Sequence, residues 1–329
     1  MSLQRRGRFF IVITTFNRAN YLAGLMDSVA ALDPAPDGVI VVNNASTDST
    51  ASVIGRAREQ LAALPLPIPV VEHQLERNSG GAGGFSAGVE RALAEGAQWM
   101  WLMDDDVTCV PGAIGAFGPW MDKYDVLVGR RYDAAGEPFF WQHTFNTFLG
   151  IPLPVRGDVF ARSNEFTTNV GCFEGILLHE DAVRAAGLPD PRFFLNWDDT
   201  TYGWLMSLQR PVRYVNEFVL HKARAQRSVD LGIRHLNDSS DLSRYYVMRN
   251  RGLLAHYLRI HGHFNAFGFG LGTALTAAKE LVRLVVVEKT LRGTGRLLHG
   301  WRESRRIMAA NDFEPMPAIV RGHGRAGNS

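Results

Sequence analysis

QWMWLMDDDVT, residues 98–108, runs apolar through Met103 and then sets three carboxylates side by side. Adjacent like charges repel and resist desolvation, so folding alone gives little reason to end a buried strand in Asp104, Asp105 and Asp106. The stretch predicts a buried strand whose carboxyl end meets a cation. Side chains two apart on an extended segment share a side, which pairs Asp104 with Asp106 and turns Asp105 away. Such a pair suits a hard divalent cation completed by substrate diphosphate and water. A helix N-cap or a solvated turn is the plainer explanation of the same letters.

Outward from this strand, short β-branched runs alternate with amphipathic helical patterns: FFIVITT, YLAGLMDSVAAL, GVIVVN, a helix from about Thr47, PIPVVEH, and a helix from near Gly84. That rhythm predicts an α/β fold, a mostly parallel sheet with helices on both faces. Ligands of such sheets bind beyond the carboxyl ends of the strands, where TTFNR, NNASTD, ERNSGGAGG and DDD all fall. Residues 110–166 read as irregular structure around short strands. A strand and helix follow in GCFEGILLHEDAVRAAGLPD, closed by Gly187 and Pro189. After PVRYVNEFVLHKAR the chain reads as helices, including SSDLSRYYVMRNRGLLAHYLRIHG and a segment over 264–291. We expect one α/β domain over 1–240, in two halves that meet between 108 and 109. A helical region over 241–312 and a disordered tail over 313–329 complete the expected organisation.

The 329 residues, 46% hydrophobic, suffice for a large core, and a formal charge of +2 argues against a general nucleic-acid binder. Cys109 and Cys172 are the two cysteines, too few for a disulfide framework or a cysteine metal site, so a reducing compartment is expected. No signal peptide is read in MSLQRRGRFFIVITTFNR. The longest uncharged stretch, GHFNAFGFGLGTALTAA, is rich in Gly and Thr and makes a poor bilayer span.

NSGGAGGF, residues 78–85, clusters glycines before a helix, which lets backbone N–H groups approach phosphate oxygens. A tight strand-to-helix turn accounts for it equally well, and its spacing matches neither a dinucleotide fingerprint nor a P-loop. In NWDDTTYGWLMSL, Asp198 and Asp199 open a helix, where acids ordinarily complement the dipole. His221 follows a strand, and a lone histidine there is more often a surface residue than a ligand.

Taken in order, VITTFNR, VVNNASTDST, NSGGAGGF, MDDDV, NWDDTTYG and VLH resemble the successive signatures of family-2 glycosyltransferases, over roughly residues 8–225. The resemblance implies the GT-A nucleotide-diphospho-sugar transferase fold. The doubled glycines, the WDD and SRYYVMRNR look most like bacterial galactofuranosyltransferases, and the chain length resembles their shorter initiating enzyme of galactan synthesis. Carried over, the resemblance puts Thr14, Phe16 and Arg18 on the uridine side of the pocket. Asn43 stands where the family usually has an Asp; its carbonyl can accept from uracil N3–H while its amide needs another acceptor. Arg77, Asn78 and Asp105 would lie near ribose or diphosphate, and Gly83 and Gly84 would give backbone access. Asp104, Asp106 and His221 would bind Mn2+ or Mg2+. Asp199 matches the catalytic base, with Asp198 orienting it or a sugar hydroxyl.

Gly171 and Cys172 stand near where the polymerising relatives carry tryptophans, so Phe173, Trp197 or Trp204 would stack on the acceptor. The implied reaction is inverting transfer of galactofuranose from UDP-galactofuranose to a rhamnose-containing polyprenyl-diphosphate acceptor. The alternative is rhamnosyl transfer from dTDP-rhamnose. A nucleotidyltransferase would need a basic Gly-rich loop that TTFNRAN lacks. The Arg-rich helices after residue 264, with Phe264, Phe267, Phe269 and Trp301, suit an anionic membrane surface on the cytoplasmic side. Packing on the catalytic domain or a contact between copies of the chain explains them equally well.

Overall fold

The computed structural model describes residues 7–139, 142–224, 228–230, 235–237 and 240–319. The first half alternates as expected: β1 (Phe9–Thr15), α1 (Ala19–Ala30), β2 (Gly38–Asn43), α2 (Thr50–Ala62), β3 (Val70–Gln74), α3 (Gly80–Ala94) and β4 (Trp99–Asp104). It continues through β5 (Val107–Cys109), α4 (Ala113–Met121), β6 (Val126–Tyr132), β7 (Pro138–Phe139), β8 (His143–Asn146), β9 (Ile151–Pro154) and β10 (Glu165–Thr168). Then come β11 (Ile176–His179), α5 (Glu180–Ala186), α6 (Asp198–Ser207) and β12 (Val212–Lys222). The chain closes with α7 (Asp241–Arg249), α8 (Arg251–Ile260), α9 (Ala266–Val282) and α10 (Thr294–Ala309).

The main sheet runs β10-β12-β6-β11-β4-β1-β2-β3. Strands β4, β1, β2 and β3 are parallel, β11 runs antiparallel between β4 and β6, and β12 is parallel to β6. Strands buried on both faces must be apolar at every position, and alternate residues then serve opposite layers. Phe9, Ile11, Ile13, Val39, Val41, Trp101 and Met103 pack with α1, α2 and α4. Phe10, Val12, Ile40, Val42, Met100 and Leu102 pack with α3, α5 and α6. Each fully buried side chain of this size contributes roughly 1.5–3 kcal/mol. A third cluster joins α8 and α9 to Phe193, Trp204, Phe145 and Ala82, so the C-terminal helices are part of the body that carries the site.

Four differences from the sequence reading stand out. Residues 110–166 include α4, concealed in sequence by its two glycines and Pro119, and the core strand β6, buried from Val126 to Arg131. Helix α3 starts at Gly80, so its glycines lie in the first turns rather than before them. The stretch read as one helix across SRYYVMRNR breaks at Asn250. Residues 313–319, expected in the disordered tail, pack on the body: Phe313 stacks on His256 and Ile319 N–H donates to the Arg184 carbonyl. The remainder of that tail, 320–329, lies outside the described residues. No helix among the described residues is long and apolar enough to cross a membrane.

Candidate active site

The parallel register brings the polar strand ends together. Thr14 pairs with Asp104, Thr15 with Asn43, and Asn43 with Gln74. Asp105 turns inward as its parity requires: it is 2% exposed and accepts from Thr15 Oγ1 at 2.7 Å and Arg18 Nη1 at 3.0 Å. The same Nη1 reaches Asp106 at 3.1 Å, so Arg18 spans two of the three acids. After two register shifts against β6, Leu220 and His221 of β12 pair with β6 on one edge and with β5 on the other, and the Ala223 N–H donates to the Asp106 carbonyl at 2.8 Å.

Asp104 and Asp106 share their corner with Glu174; one ligand atom from each lies within 4.8 Å of the others. Sequence reasoning did not single out Glu174. It is buried and accepts from Arg131 Nη1 at 2.6 Å and, through both oxygens, from Lys222 Nζ at 2.7 Å. Burial alone would raise its pKa, but the two cations outweigh burial and hold it below the ordinary carboxylate value. At Asp104 the balance falls the other way. Burial first, then repulsion from Glu174, Asp106 and Asp105, raises its carboxyl well above the usual range despite Lys222. The raised carboxyl of Asp104, within reach of Asp106 and Glu174, fits a divalent cation, and Asp104 and Asp106 are the residues that would hold it. His221, expected as the third ligand, stands outside this group and stacks on Tyr132 at 4.6 Å. Its strand neighbour Lys222 points to the acids instead.

On the nucleotide side, Asn43 is buried; its amide donates to Glu72 at 3.2 Å and its carbonyl accepts from Ser46 N–H at 3.0 Å. The amide has thereby found the separate acceptor that an Asn at this position requires. Phe16 is 39% exposed, Arg77 is exposed, and the Asn78 side chain accepts from Gly80 N–H at 2.8 Å. Thr14 Oγ1 is buried without a protein partner, an orphaned polar atom beside Asp104 that a ligand could satisfy. Asn44, also absent from the sequence reading, ties β2 to α3: it donates to the Gly80 carbonyl at 2.9 Å and accepts from Ser79 N–H at 2.8 Å. Gly83 and Gly84 serve close packing. A Cβ at either would fall 2.4 Å from Ser79 or 2.2 Å from Thr14.

Opposite these groups, Asp198 and Asp199 open α6 after a strained segment in which Phe194, Asn196 and Trp197 all take positive φ. A Cβ on Gly81 would sit 3.8 Å from Asp198 Oδ2, so the acid pair borders the first turn of α3. Asp199 Oδ1 accepts from the Thr200 backbone at 2.6 Å. Burial raises both carboxyls, Asp198 further through the charge of Asp199, while Thr200 and Arg131 restrain Asp199. A carboxylate whose pKa is raised in this way is, in its ionised form, a stronger base toward a substrate hydroxyl. Burial pushes the Cys172 thiol up to about 12, which leaves it no role as a thiolate nucleophile.

The expected acceptor surface needs correction at two of its three positions. Phe173 and Trp204 are 5% and 2% exposed, packed against Phe85 and Phe145 respectively, and cannot present a face to a sugar. Trp197 is half-buried; its indole N–H donates to the Val247 carbonyl at 2.8 Å and the Arg251 guanidinium lies 5.5 Å from its ring.

The profile described as Glycosyl transferase family 2 matches residues 10–181, more than half of the chain. Galactofuranosyltransferase GlfT1 of Mycobacterium tuberculosis (strain ATCC 25618 / H37Rv) is 32% identical over 201 residues, 58% of this chain and 61% of that protein. The same-named protein of Mycolicibacterium smegmatis is 31% identical over 195 residues, 57% of this chain and 61% of that protein. The match therefore spans less than two thirds of these relatives. Among solved structures, S. aureus TarS 1-349 in complex with UDP-GlcNAc superposes with a TM-score of 0.52 at 13% identity, covering 91% of this chain and 90% of that one. GalNAc-T7 with UDP, GalNAc and Mn2+ superposes with a TM-score of 0.52 at 12% identity, covering 74% and 48%. At these identities the likeness concerns the fold. The family match, on a sheet of this topology, shows that the chain belongs to glycosyl transferase family 2 and is a glycosyltransferase of GT-A fold.

Proposed function

We propose that the protein transfers galactofuranose, with inversion, from UDP-galactofuranose to a rhamnose-containing polyprenyl-diphosphate acceptor in cell-wall galactan synthesis. The observation that carries this reading is the corner of Asp104, Asp106 and Glu174, whose Glu174 charge also acts on Asp199 of the acid pair. The names of the relatives from Mycobacterium tuberculosis and Mycolicibacterium smegmatis support the choice of sugar.

In this reading Thr14, Phe16, Arg18 and Asn43 hold the nucleoside, with Arg77 and Asn78 beside the ribose or diphosphate. Asp104 and Asp106 would hold Mn2+ or Mg2+; His221 is the third ligand that the resemblance implies, and Glu174 is the acid already beside them. A bound divalent ion supplies charge stabilisation to the departing diphosphate. Asp199 accepts the proton of the acceptor hydroxyl as that oxygen bonds to the anomeric carbon. The bond from that carbon to the diphosphate oxygen breaks, and its electron pair leaves with UDP. Asp198 orients Asp199 or a sugar hydroxyl. A single displacement of this kind needs no covalent intermediate.

The acceptor's lipid places the enzyme on the cytoplasmic face of the membrane as a peripheral protein. A cavity of about 600 Å3 among α8, α9 and α10, lined by Phe264, Leu281, Leu298 and Trp301, supports that reading. Phe267 is 78% exposed, but Phe269 is buried against Arg251 and is withdrawn from any insertion surface. Incubation with a panel of nucleotide sugars, Mn2+ and synthetic rhamnosyl diphosphate lipids tests the proposal. Turnover of UDP-galactofuranose supports it; turnover of dTDP-rhamnose instead would establish the rhamnosyltransferase alternative.

A further inference from the structure

SRYYVMRNR has no part in the reaction as derived above, yet its last residues converge on the acid pair. Asn250, at the break between α7 and α8, is 0% exposed. Its side-chain amide donates to the carbonyls of Phe193 at 2.7 Å, Leu195 at 2.8 Å and Asn196 at 3.0 Å. Its own oxygen accepts from Arg249 Nη1 at 2.8 Å, and that same nitrogen donates to the Arg192 carbonyl at 2.5 Å. The Phe194 carbonyl, which points the other way, accepts from Ala82 N–H in the first turn of α3.

Every carbonyl from residue 192 to 196 is therefore engaged by the α7–α8 junction or by α3. Positive φ at Phe194, Asn196 and Trp197 removes these groups from any regular ladder. Buried carbonyls without donors are costly, and apart from the Leu195 N–H, which also reaches the Phe193 carbonyl, the donors are supplied from outside the segment. Helix α7 adds further contacts: Asn196 Nδ2 donates to Ser243 Oγ at 3.1 Å, Trp197 Nε1 to the Val247 carbonyl at 2.8 Å, and Phe194 stacks on Tyr246 at 4.8 Å. Asp198 is the next residue.

We propose that Asn250 is a positioning residue for the acid pair: its amide holds the backbone from which Asp198 and Asp199 project, so that the C-terminal helices set the geometry of proton transfer. This rests on the catalytic reading of the pair. Asn250→Ala removes the donors, Asn250→Asp keeps the volume without an amide, and Asn250→Ser keeps one donor.

The experiment measures donor KM, kcat and amide hydrogen exchange on the full chain. A backbone misplaced by about 1 Å can cost about 100-fold in rate. Asn250→Ala and Asn250→Asp should lose kcat on that scale while donor KM stays near the wild-type value, because the nucleotide loops do not touch residue 250. Amides of 192–199 should lose exchange protection while β1, β2 and β4 keep theirs, and Asn250→Ser should recover part of kcat. Exchange that rises throughout the chain, with kcat falling only as the folded fraction falls, would reduce Asn250 to a stability residue and overturn the proposal. Unchanged exchange at 192–199 would overturn it too. The exchange arm needs no substrate: local release of 192–199 in a protein whose wild type transfers no sugar would uphold the latch and remove the catalytic reading of the pair.

Discussion

Gly80→Ala is the perturbation whose consequences follow most directly from the coordinates. Gly80 has φ +72°, and a Cβ there would lie 2.0 Å from the Phe194 carbonyl oxygen and 2.6 Å from its carbon. Ordinary contact begins near 3.4 Å, so the 194 segment or the helix must retreat by more than 1 Å. A left-handed conformation costs an alanine about 1–2 kcal/mol. The retreat also strains the bond from Ala82 N–H to Phe194, 3.2 Å, and the one from Asn44 to the Gly80 carbonyl, 2.9 Å, each worth about 1 kcal/mol. We expect a loss of about 2–4 kcal/mol in thermal or urea unfolding, and a kcat reduced by about 100-fold because the acid pair is carried along. Gly81→Ala is the control: its Cβ would meet only Asp198 Oδ2, at 3.8 Å, so stability should be unchanged or slightly higher. Circular-dichroism melts and coupled detection of released UDP measure both variants. Wild-type stability and turnover in Gly80→Ala would refute the claim that α3 and the 194 segment position the acids against each other.

Asp199→Asn should retain UDP binding by calorimetry and lose transfer by about a hundred- to ten-thousand-fold; a crippled Asp198→Asn beside a nearly normal Asp199→Asn would reverse the assignment. EDTA should abolish transfer and Asp106→Ala should weaken Mn2+-dependent UDP binding, whereas full activity in EDTA would remove the metal from the mechanism. Because the folded pKa of Asp198 is raised above its ordinary 3.8, its contribution to stability is complete below that value and is lost as pH rises through the folded pKa. Asp198→Asn should therefore gain stability relative to wild type as pH climbs from about 4; a pH-independent difference in Tm would contradict the raised carboxyl. Arg292, Arg296, Arg302, Arg305 and Arg306 are all exposed, and at about 1 kcal/mol each near an anionic surface they should drive salt-sensitive liposome binding. Changing all five to Gln should impair transfer to the lipid acceptor but spare a short soluble analogue; equal loss on both would assign α10 to packing.

Periodicity and composition by themselves determined the α/β sheet, the meeting of its polar strand ends, and the inward turn of Asp105. These are local properties: a β-branched run buried on both faces leaves little choice of element, and the parity of an extended chain separates Asp105 from its neighbours. Tertiary structure alone decided which charges answer one another. Glu174 lies 43 residues from Arg131 and 48 from Lys222, and no spacing within one element connects them. The same holds for Asn250, more than fifty residues beyond the carbonyls it serves, and for Phe173 and Trp204, whose aromatic rings read alike whether they face a sugar or a core. A hydrogen bond or an ion pair depends on atoms brought within about 3 Å, and only the folded chain brings α7, α8 and β12 to the place where the acids stand.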